Sequence, residues 1–326
     1  MILKAHSFLP LCKKTMTDEL KCIFLGTGAA TPSLTRGLPS VAIVKDGRIY
    51  LCDCGEGTQF KLMQAGLSPT KIRYIFISHL HGDHIFGFPG YLNSQQLYGR
   101  TTPLTLYGPP GISAFYRSVA QLSKYKVDYP LDIVELDPEQ MHELDCTAIK
   151  IKASSLEHSV PCFGYRFEEA PKVGKFDNDK ANVLGIPNGP ERAGLQRGES
   201  VRIGDRLVHS AEVVGDPIPG RIITYCTDTR PCETTRQLAE DADLLIHDST
   251  FSDAYSDRAE ATCHSTSREA AQMARDAGAQ QLALFHISIR IQKEEESRLL
   301  QQAREVFENT LLPDDLAGIM LRRRTS

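Results

Sequence analysis

The chain has 326 residues and a formal net charge of −4, with 41% hydrophobic and 24% charged residues. This composition is ordinary for a globular protein, and the charge argues against a surface that binds nucleic acid through general positive charge. A local basic patch could still hold RNA. No apolar run approaches the ~20 residues that a membrane span needs, so no membrane segment is expected.

Residues 1–18 are predicted to be a flexible N-terminal extension. Residues 1–17 carry Lys4, Lys13 and Lys14 without an acidic residue, and their apolar stretch is too short for a signal peptide. The nine cysteines are dispersed without a C-x-x-C motif, unlike a disulfide framework or a thiolate zinc site. These features favour a reducing, cytoplasmic location, and an organellar targeting peptide is the alternative.

Residues 19–326 begin with strand patterns and then alternate strand and helix patterns. After a strand at 20–25 comes a hairpin, because a turn signal, Asp46-Gly47, separates two β-prone runs. The first half then predicts a helix at 56–65, a strand at 73–77, a helix at 91–97, a strand at 104–107, a helix at 111–123 and a strand at 131–136.

The second half repeats strands followed by helices. It predicts strands at 222–225, 244–246 and 282–285, a helix that starts at the capping box of Thr266 and Glu269 and stops at Gly278, and a polar helix at 293–308. Hairpin strands followed by strand–helix alternation in both halves indicate two sheets between helix layers. Residues 168–200 have little apolar periodicity and are predicted to be a protruding insertion.

The densest group of potential metal ligands is H-L-H-G-D-H at 79–84, directly after a predicted strand. His158, Asp228 and His286 occur singly, each after an apolar or β-prone run. Strands that end in ligands place them in loops at one rim of a sheet, where they can converge. Zinc accepts imidazole and carboxylate ligands, and two adjacent dications need a bridging anion such as Asp228. A lone histidine is more often structural, but this set predicts a two-metal hydrolase.

Several motifs resemble the metallo-β-lactamase superfamily and, within it, the ribonuclease Z family. They are FLGTG at 24–28, DCGEGTQ at 53–59, ISHLHGDH at 77–84, LYGP at 106–109, FGYR at 163–166, GIPNGP at 185–190 and HISIR at 286–290. The resemblance implies an α/β fold, the αββα sandwich, as one domain over 19–326 with 168–200 as a flexible tRNA-binding arm. It also implies an endoribonuclease that removes the 3′ trailer of precursor tRNA.

The same resemblance implies two Zn²⁺ per subunit, with Mn²⁺ or Mg²⁺ as substitutes. One zinc would be held by His79, His81, His158 and Asp228, and the other by Asp83, His84, Asp228 and His286. Asp83 would also accept the proton of the attacking water. His264 would assist the departure of the 3′ oxygen, because a ribose alkoxide is a poor leaving group that needs a proton. Asp248 would hold His264 by a hydrogen bond.

The chain departs from the pattern of many family members at three places. HDST at 247–250 replaces HEAT, so the Asp248 carboxylate is one methylene shorter, and its bond to His264 is expected to be weaker or to need a backbone shift. A strand-end cap is the alternative role for Asp248. PSLTRG at 32–37 replaces P-x-K-x-R-N, so the family's handling of trailers that begin with CCA is not carried over, and Ile291 replaces a tyrosine.

The resemblance also implies partners, namely precursor tRNA and a second copy of the chain. Short-form family members act as homodimers in which one subunit's arm presents tRNA to the other's metals. The implied RNA-binding residues are Lys175, Lys180, Gly189, Pro190, Arg192 and Arg197 on the arm, and Arg290 near the scissile phosphate. Affinity from such an arm is expected to depend strongly on salt.

Two other functions fit parts of the sequence. The metal ligands alone also fit a small-molecule phosphodiesterase or another hydrolase of the superfamily, which would have no need for the arm. A non-catalytic RNA-binding protein with this fold is the second alternative, and it should have lost ligands that this chain retains. Turnover on a small phosphodiester and on precursor tRNA, with and without the arm, distinguishes a small-molecule hydrolase from an enzyme that processes RNA. Metal analysis tests the second alternative, since a non-catalytic protein should bind RNA with almost no metal.

Overall fold

A computed structural model describes residues 18–324 of the chain, so that residues 1–17 of the predicted extension lie outside the described residues. The strands in the described range are β1 Leu20–Gly26, β2 Gly28–Ala29, β3 Ser40–Lys45, β4 Arg48–Cys52, β5 Ile72–Phe76, β6 Leu104–Gly108, β7 Leu131–Glu135, β8 His142–Cys146, β9 Ile149–Ser155, β10 Phe163–Glu169, β11 Val201–Ile203, β12 Arg206–Val208, β13 Ile222–Cys226, β14 Leu244–Asp248, β15 Leu282–Phe285, β16 Ile287–Ser288, β17 Thr310–Leu311 and β18 Gly318–Leu321. The α-helices there are α1 Thr58–Gln64, α2 Gly82–Ile85, α3 Gly87–Leu97, α4 Ile112–Ser123, α5 Asn178–Val183, α6 Pro190–Gln196, α7 Glu233–Leu238, α8 Ser256–Ala261, α9 Ser267–Asp276 and α10 Glu296–Arg304.

The first large sheet has seven strands in the order β18-β1-β3-β4-β5-β6-β7. Its β18, β1, β3 and β4 are antiparallel neighbours, and β4, β5, β6 and β7 run parallel. The predicted hairpin is confirmed, since Lys45 pairs with Arg48 across a turn in which Asp46 and Gly47 both have positive φ, 49° and 80°. That turn matches the twist of the two strands.

The second large sheet also has seven strands, in the order β17-β15-β14-β13-β10-β9-β8. Its β8, β9, β10 and β13 are antiparallel neighbours, and β13, β14, β15 and β17 run parallel. Both sheets therefore combine hairpin strands with parallel strands connected through helices, as the sequence pattern predicts.

The main core lies between the two sheets. Phe76 of the first sheet packs edge-on against Phe167 of the second, with ring centroids 5.3 Å apart and planes at 89°. In β1, Phe24 faces this inter-sheet core, whereas Leu25 faces the helices on the outer surface, because successive strand residues point to opposite faces. Helix α9 covers the outer face of the second sheet and packs against it through its own Ala270 and Ala274. The predicted αββα sandwich is confirmed.

The chain between β10 and β13 packs around a small core of its own. Its buried residues are Phe176, Ala181, Ile186, Leu195, Val208 and Val213. The predicted insertion, 168–200, has the two helices α5 and α6 where the sequence suggested irregular chain, and the core that they share extends beyond residue 200. Two isolated β-bridges, Lys172 with Ile218 and Phe176 with Val214, join the two ends of this segment.

Polar residues follow the parallel strands at one edge of the sandwich. Asp53 follows β4, Asp228 follows β13 by two residues, and His286 follows β15, each with a positive φ of 55°, 51° and 62° respectively. Left-handed backbone at a non-glycine residue is uncommon and costly, and it clusters at functional sites. The strand ends therefore bend sharply where they carry two of the potential metal ligands, Asp228 and His286, and the buried Asp53. Among the described residues, no helix combines the length and the apolar character needed to cross a membrane.

Candidate metal centre

Helix α2 begins inside the H-L-H-G-D-H motif. His79 and His81 lie in the extended segment after β5, and Asp83 and His84 lie in the first turn of α2. A Cβ at position 82 would lie 2.3 Å from the Phe86 ring, so the present position of that ring requires a glycine here. The change from extended chain to helix turns the two halves of the motif toward two different groups of ligands.

The structure brings all seven predicted ligands together in two neighbouring groups. In each group the potential ligand atoms lie within 4.8 Å of one another; the groups are His79, His81, His158 and Asp228, and Asp83, His84 and His286. The Asp228 carboxylate connects the groups, because its Oδ2 lies 3.5 Å from His79 Nε2 and its Oδ1 lies 3.3 Å from His84 Nε2. Asp228 therefore lies between the two groups, where a carboxylate could contact a metal ion in each.

In the group of Asp83, His84 and His286, the spacing of the potential ligand atoms fits a tetrahedral zinc ion. Bonds of about 2.0–2.2 Å in a tetrahedron place neighbouring ligand atoms about 3.3–3.6 Å apart. His84 Nε2 lies 3.3 Å from His286 Nε2 and 3.5 Å from Asp83 Oδ2, and His286 Nε2 lies 3.4 Å from Asp83 Oδ2. In the other group, His158 Nε2 lies 3.4 Å from His81 Nδ1, while His79 Nε2 is closer to that atom, at 2.9 Å.

The second ring nitrogen of four histidines has a partner away from the metal positions. The Nδ1 atoms of His79, His84, His158 and His286 lie 3.0 Å from Ser78 Oγ, 2.7 Å from Asp53 Oδ2, 3.0 Å from the Cys263 carbonyl and 2.9 Å from Thr250 Oγ1. Metal-binding histidines use such contacts to fix the ring orientation. The Nε2 atom of each ring is therefore directed toward the metal positions.

Asp53 connects His84 to two other parts of the chain. It is fully buried, and besides contacting His84 it accepts hydrogen bonds from the Ser78 N–H and hydroxyl and from the Tyr225 hydroxyl. The sequence reasoning gave Asp53 no role. The available signal was a carboxylate placed directly after the apolar strand β4, where a buried charge needs a specific partner.

The charge in the pocket also fits a cation. Burial lowers the pKa of His84, but the carboxylates of Asp228 and Asp53 raise it well above its usual value. Burial raises the pKa of Asp228, but His286, His84 and His79 lower it well below its usual value. Negative charge therefore has to be balanced inside this pocket, and a divalent cation would balance it.

His264 and Asp248 lie beside the ligands. His264 Nδ1 is 2.7 Å from Asp248 Oδ2, and the His264 ring centroid is 5.2 Å from that of His286. Burial lowers the pKa of His264, but Asp248 raises it to about 9. Asp248 thus favours the charged form of His264, which is the form that can donate a proton to a leaving oxygen.

The arm residues named from the sequence differ in their contacts. Lys175 and Lys180 are exposed. Arg192 is half-buried, and its guanidinium donates hydrogen bonds to the Ile186 carbonyl and to the Asn182 side chain within the same segment. The remaining RNA-binding candidates are also exposed, and they are Gly189, Pro190, Arg197 and Arg290, of which Arg197 pairs with Glu199 at 2.7 Å.

Two family models match separate parts of the chain. Residues 20–159 match the model described as "Anti-Pycsar protein Apyc1", and residues 197–287 match the model described as "Beta-lactamase superfamily domain". Among solved structures, the short form of human tRNase Z superposes with a TM-score of 0.67 at 29% identity, covering 92% of this chain and 98% of its own. The metallo-β-lactamase fold protein YhfI of Bacillus subtilis superposes with a TM-score of 0.66 over 93% of this chain and 100% of its own, and its 19% identity shows a shared fold.

Curated relatives match along nearly the whole chain. A ribonuclease Z of Methanosarcina acetivorans is 40% identical over 94% of this chain and 99% of its own length. A ribonuclease Z of Bacillus cereus is 42% identical over 93% of this chain and 100% of its own length. With this identity over this length, and with the two-sheet sandwich that carries the ligands, the chain belongs to the ribonuclease Z family of metallo-β-lactamase fold proteins.

Proposed function

We propose that this protein is a metal-dependent endoribonuclease that removes the 3′ trailer of precursor tRNA. The cut would leave a 3′ hydroxyl on the tRNA and a 5′ phosphate on the trailer. The observation that carries the proposal is the meeting of the seven ligands in two groups connected by Asp228, with His264 beside them. Membership of the ribonuclease Z family supports the choice of substrate.

We assign two Zn²⁺ to each subunit, with Mn²⁺ or Mg²⁺ as substitutes. His79, His81, His158 and Asp228 would hold one ion, and Asp83, His84, His286 and Asp228 the other. When bound, a pair of divalent cations makes hydroxide available at neutral pH and neutralises charge on the phosphoryl oxygens.

Two side chains of this protein would transfer protons, and a third would orient one of them. Asp83 reaches toward the same space as His84 and His286, where it can accept the proton of the attacking water. Water adds to phosphorus and the bond from phosphorus to the ribose 3′ oxygen breaks. His264 gives its proton to that oxygen, and Asp248 orients the His264 ring and stabilises its positive charge.

The segment between β10 and β13 would bind the tRNA at a distance from the cut. Its exposed Lys175 and Lys180 can contact backbone phosphates. We further propose that two subunits act together, with the arm of one presenting tRNA to the metals of its partner, and that the protein works in the cytoplasm, where precursor tRNA is processed.

Incubation with one defined precursor tRNA tests this function. We expect a single cut at the 3′ end of the tRNA, with a hydroxyl on the tRNA and a phosphate on the trailer when both ends are mapped. A chromogenic phosphodiester serves as the comparison substrate. Turnover of the small diester without cleavage of the precursor would instead favour the small-molecule hydrolase.

A further inference from the structure

Residues 27–37 form a loop that touches the metal centre through its backbone, and we refer to it as the 27–37 loop. The Ala30 N–H donates a hydrogen bond of 2.8 Å to Asp83 Oδ2. Ala30 has a φ of 59°, a left-handed conformation that a non-glycine residue adopts only when its surroundings hold it. The position of the Asp83 carboxylate therefore depends on how this loop is held.

The same loop also supports a second ligand of the same metal group. The Ile287 N–H donates to the Thr27 carbonyl at 2.9 Å, directly after His286. Strand β2 at the start of the loop pairs with β16, which begins at Ile287. The loop thus borders Asp83 and His286.

A single carboxylate near the C-terminal end of the described chain holds both ends of the 27–37 loop. Asp315 Oδ1 accepts hydrogen bonds from the Thr27 N–H at 3.1 Å and from the Thr27 hydroxyl at 2.8 Å. Asp315 Oδ2 accepts one from the Gly37 N–H at 2.7 Å, and Lys61 Nζ lies 2.8 Å from the same oxygen. The Asp315 side chain is only 7% exposed, so water competes little for these bonds.

Arg36 reinforces this attachment from within the loop. Its guanidinium donates to the Thr27 hydroxyl at 2.6 Å, to the Pro313 carbonyl at 2.9 Å and to Glu296 Oε1 at 3.0 Å. Arg36 is nearly buried, and these contacts direct it toward the C-terminal segment. The loop and that segment form one hydrogen-bonded unit.

We infer that Asp315 is a positioning residue for one of the two metals. By holding both ends of the 27–37 loop, it keeps the Ala30 N–H on the Asp83 carboxylate and supports the chain at His286. Loss of this support should weaken the ion held by Asp83, His84 and His286 more than the ion held by His79, His81 and His158. The inference rests on the proposed function, because it takes Asp83 and His286 as metal ligands.

The test compares metal retention and cleavage kinetics in four variants. Asp315→Ala removes all the loop contacts of the carboxylate, and Asp315→Asn keeps the shape of the side chain but loses one acceptor. Asp314→Asn removes the same charge from the neighbouring residue, whose side chain is 67% exposed. Lys61→Met removes the cation beside Asp315 but leaves its three hydrogen bonds to the loop.

Each zinc-loaded variant is dialysed against graded concentrations of a chelator, and the ions per chain are counted by mass spectrometry. We expect Asp315→Ala to lose one ion at a chelator concentration about 10- to 100-fold lower than the parent, which is the usual effect of losing a group that orients a ligand. The second ion should leave as in the parent. The kcat of Asp315→Ala on precursor tRNA should fall by a similar factor, while its KM is unchanged. Asp315→Asn should lie between Asp315→Ala and the parent in both measurements. The controls Asp314→Asn and Lys61→Met should behave like the parent.

Three results would overturn the inference. One is parent-like ion retention and kcat in Asp315→Ala, another is equal weakening of both ions, and the third is the same loss in Lys61→Met. If Asp315→Ala does not fold, Asp315→Asn decides by the same criteria. If the parent binds two ions but does not cut precursor tRNA, the proposed function fails, whereas the selective loss of one ion still tests Asp315.

Discussion

His264 Nδ1 lies 2.7 Å from Asp248 Oδ2, the distance of a charge-assisted hydrogen bond. The sequence predicts that this aspartate, one methylene shorter than the glutamate of many family members, would bind His264 more weakly or after a backbone shift. The distance shows no lengthening of this contact. Asp248 is also held by hydrogen bonds from the Thr229 and Thr250 N–H groups, so it also caps the end of its strand.

Replacement of His264 should affect the leaving group selectively. We expect His264→Ala to lower the single-turnover rate on precursor tRNA by about 100-fold or more, since proton donation typically contributes that much, with tRNA affinity unchanged. Turnover of a nitrophenyl phosphodiester should fall far less, because nitrophenolate departs without a proton. An equal loss on both substrates would contradict the role of His264 as a proton donor.

Replacement of Asp83 should separate chemistry from binding. Asp83→Ala removes a proposed metal ligand and proton acceptor, so cleavage should disappear while tRNA affinity stays within about two-fold, because the proposed phosphate contacts lie on the arm. Gel shifts and cleavage assays on the same preparation measure both. The control is Glu157→Gln, an exposed carboxylate next to His158, which should cut like the parent. Comparable cleavage by Asp83→Ala and the parent would refute the mechanism.

Deletion of the arm should distinguish the two substrate classes. Gly174 and Gly215 approach closely at its base, where a Cβ on Gly174 would lie 2.0 Å from the Gly215 carbonyl oxygen, so a short linker can replace residues 175–214. We expect kcat/KM on precursor tRNA to fall by at least about ten-fold through lost phosphate contacts, with weaker salt dependence. Turnover of a small phosphodiester should be unchanged. An equal fall on both substrates would favour an arm that only stabilises the fold.

A buried ion-pair cluster at the base of the arm should make stability depend on pH. Glu169 Oε2 lies 2.7 Å from Arg221 Nε, and Glu169 Oε1 lies 2.7 Å from Lys45 Nζ. Burial raises the pKa of Glu169, but Arg221 and Lys45 lower it, to about 2 from an ordinary 4.5. Because the folded pKa is depressed, the stabilisation is complete above about pH 4.5 and is lost as pH falls toward 2.

Glu169→Gln should therefore be less stable than the parent at pH 7 by about 3–5 kcal/mol, the usual cost of breaking a buried pair. The difference should shrink below pH 4.5. Urea unfolding in the presence of a chelator measures it without a contribution from metal loss. Glu168→Gln, at the more exposed neighbouring residue, is the control. A stability difference that is constant between pH 7 and pH 3 would contradict this assignment.

The sequence allowed the sandwich and the ligands to be predicted because both depend on local pattern. The motif at 79–84 is contiguous, and His158, Asp228 and His286 each follow a strand-like run, so their meeting follows from sheet geometry. Strands β8 and β9 were not predicted. Their charged residues alternate with apolar ones, as in His142–Cys146, and one face of the pair is exposed.

The residues that hold the potential metal ligands in place were harder to predict, because their contacts join distant parts of the chain. Asp315 binds Thr27 across 288 positions, and no pattern near either residue indicates that contact. Asp53 gave a weak signal as an acid after an apolar strand, yet its partners Ser78 and Tyr225 come from two other parts of the chain. The arm helices were missed because α5 and α6 have only six and seven residues, too short to show helical periodicity.

Removal and restoration of the metal show whether the seven ligands hold the ions that cleave precursor tRNA. The parent protein is stripped with a chelator, and cleavage of a defined precursor tRNA is measured before and after Zn²⁺ is returned. We expect that the stripped protein does not cut, that two ions per chain restore activity, and that the restored cut lies at the 3′ end of the tRNA. A stripped protein that still cuts there at the parent rate would contradict this expectation.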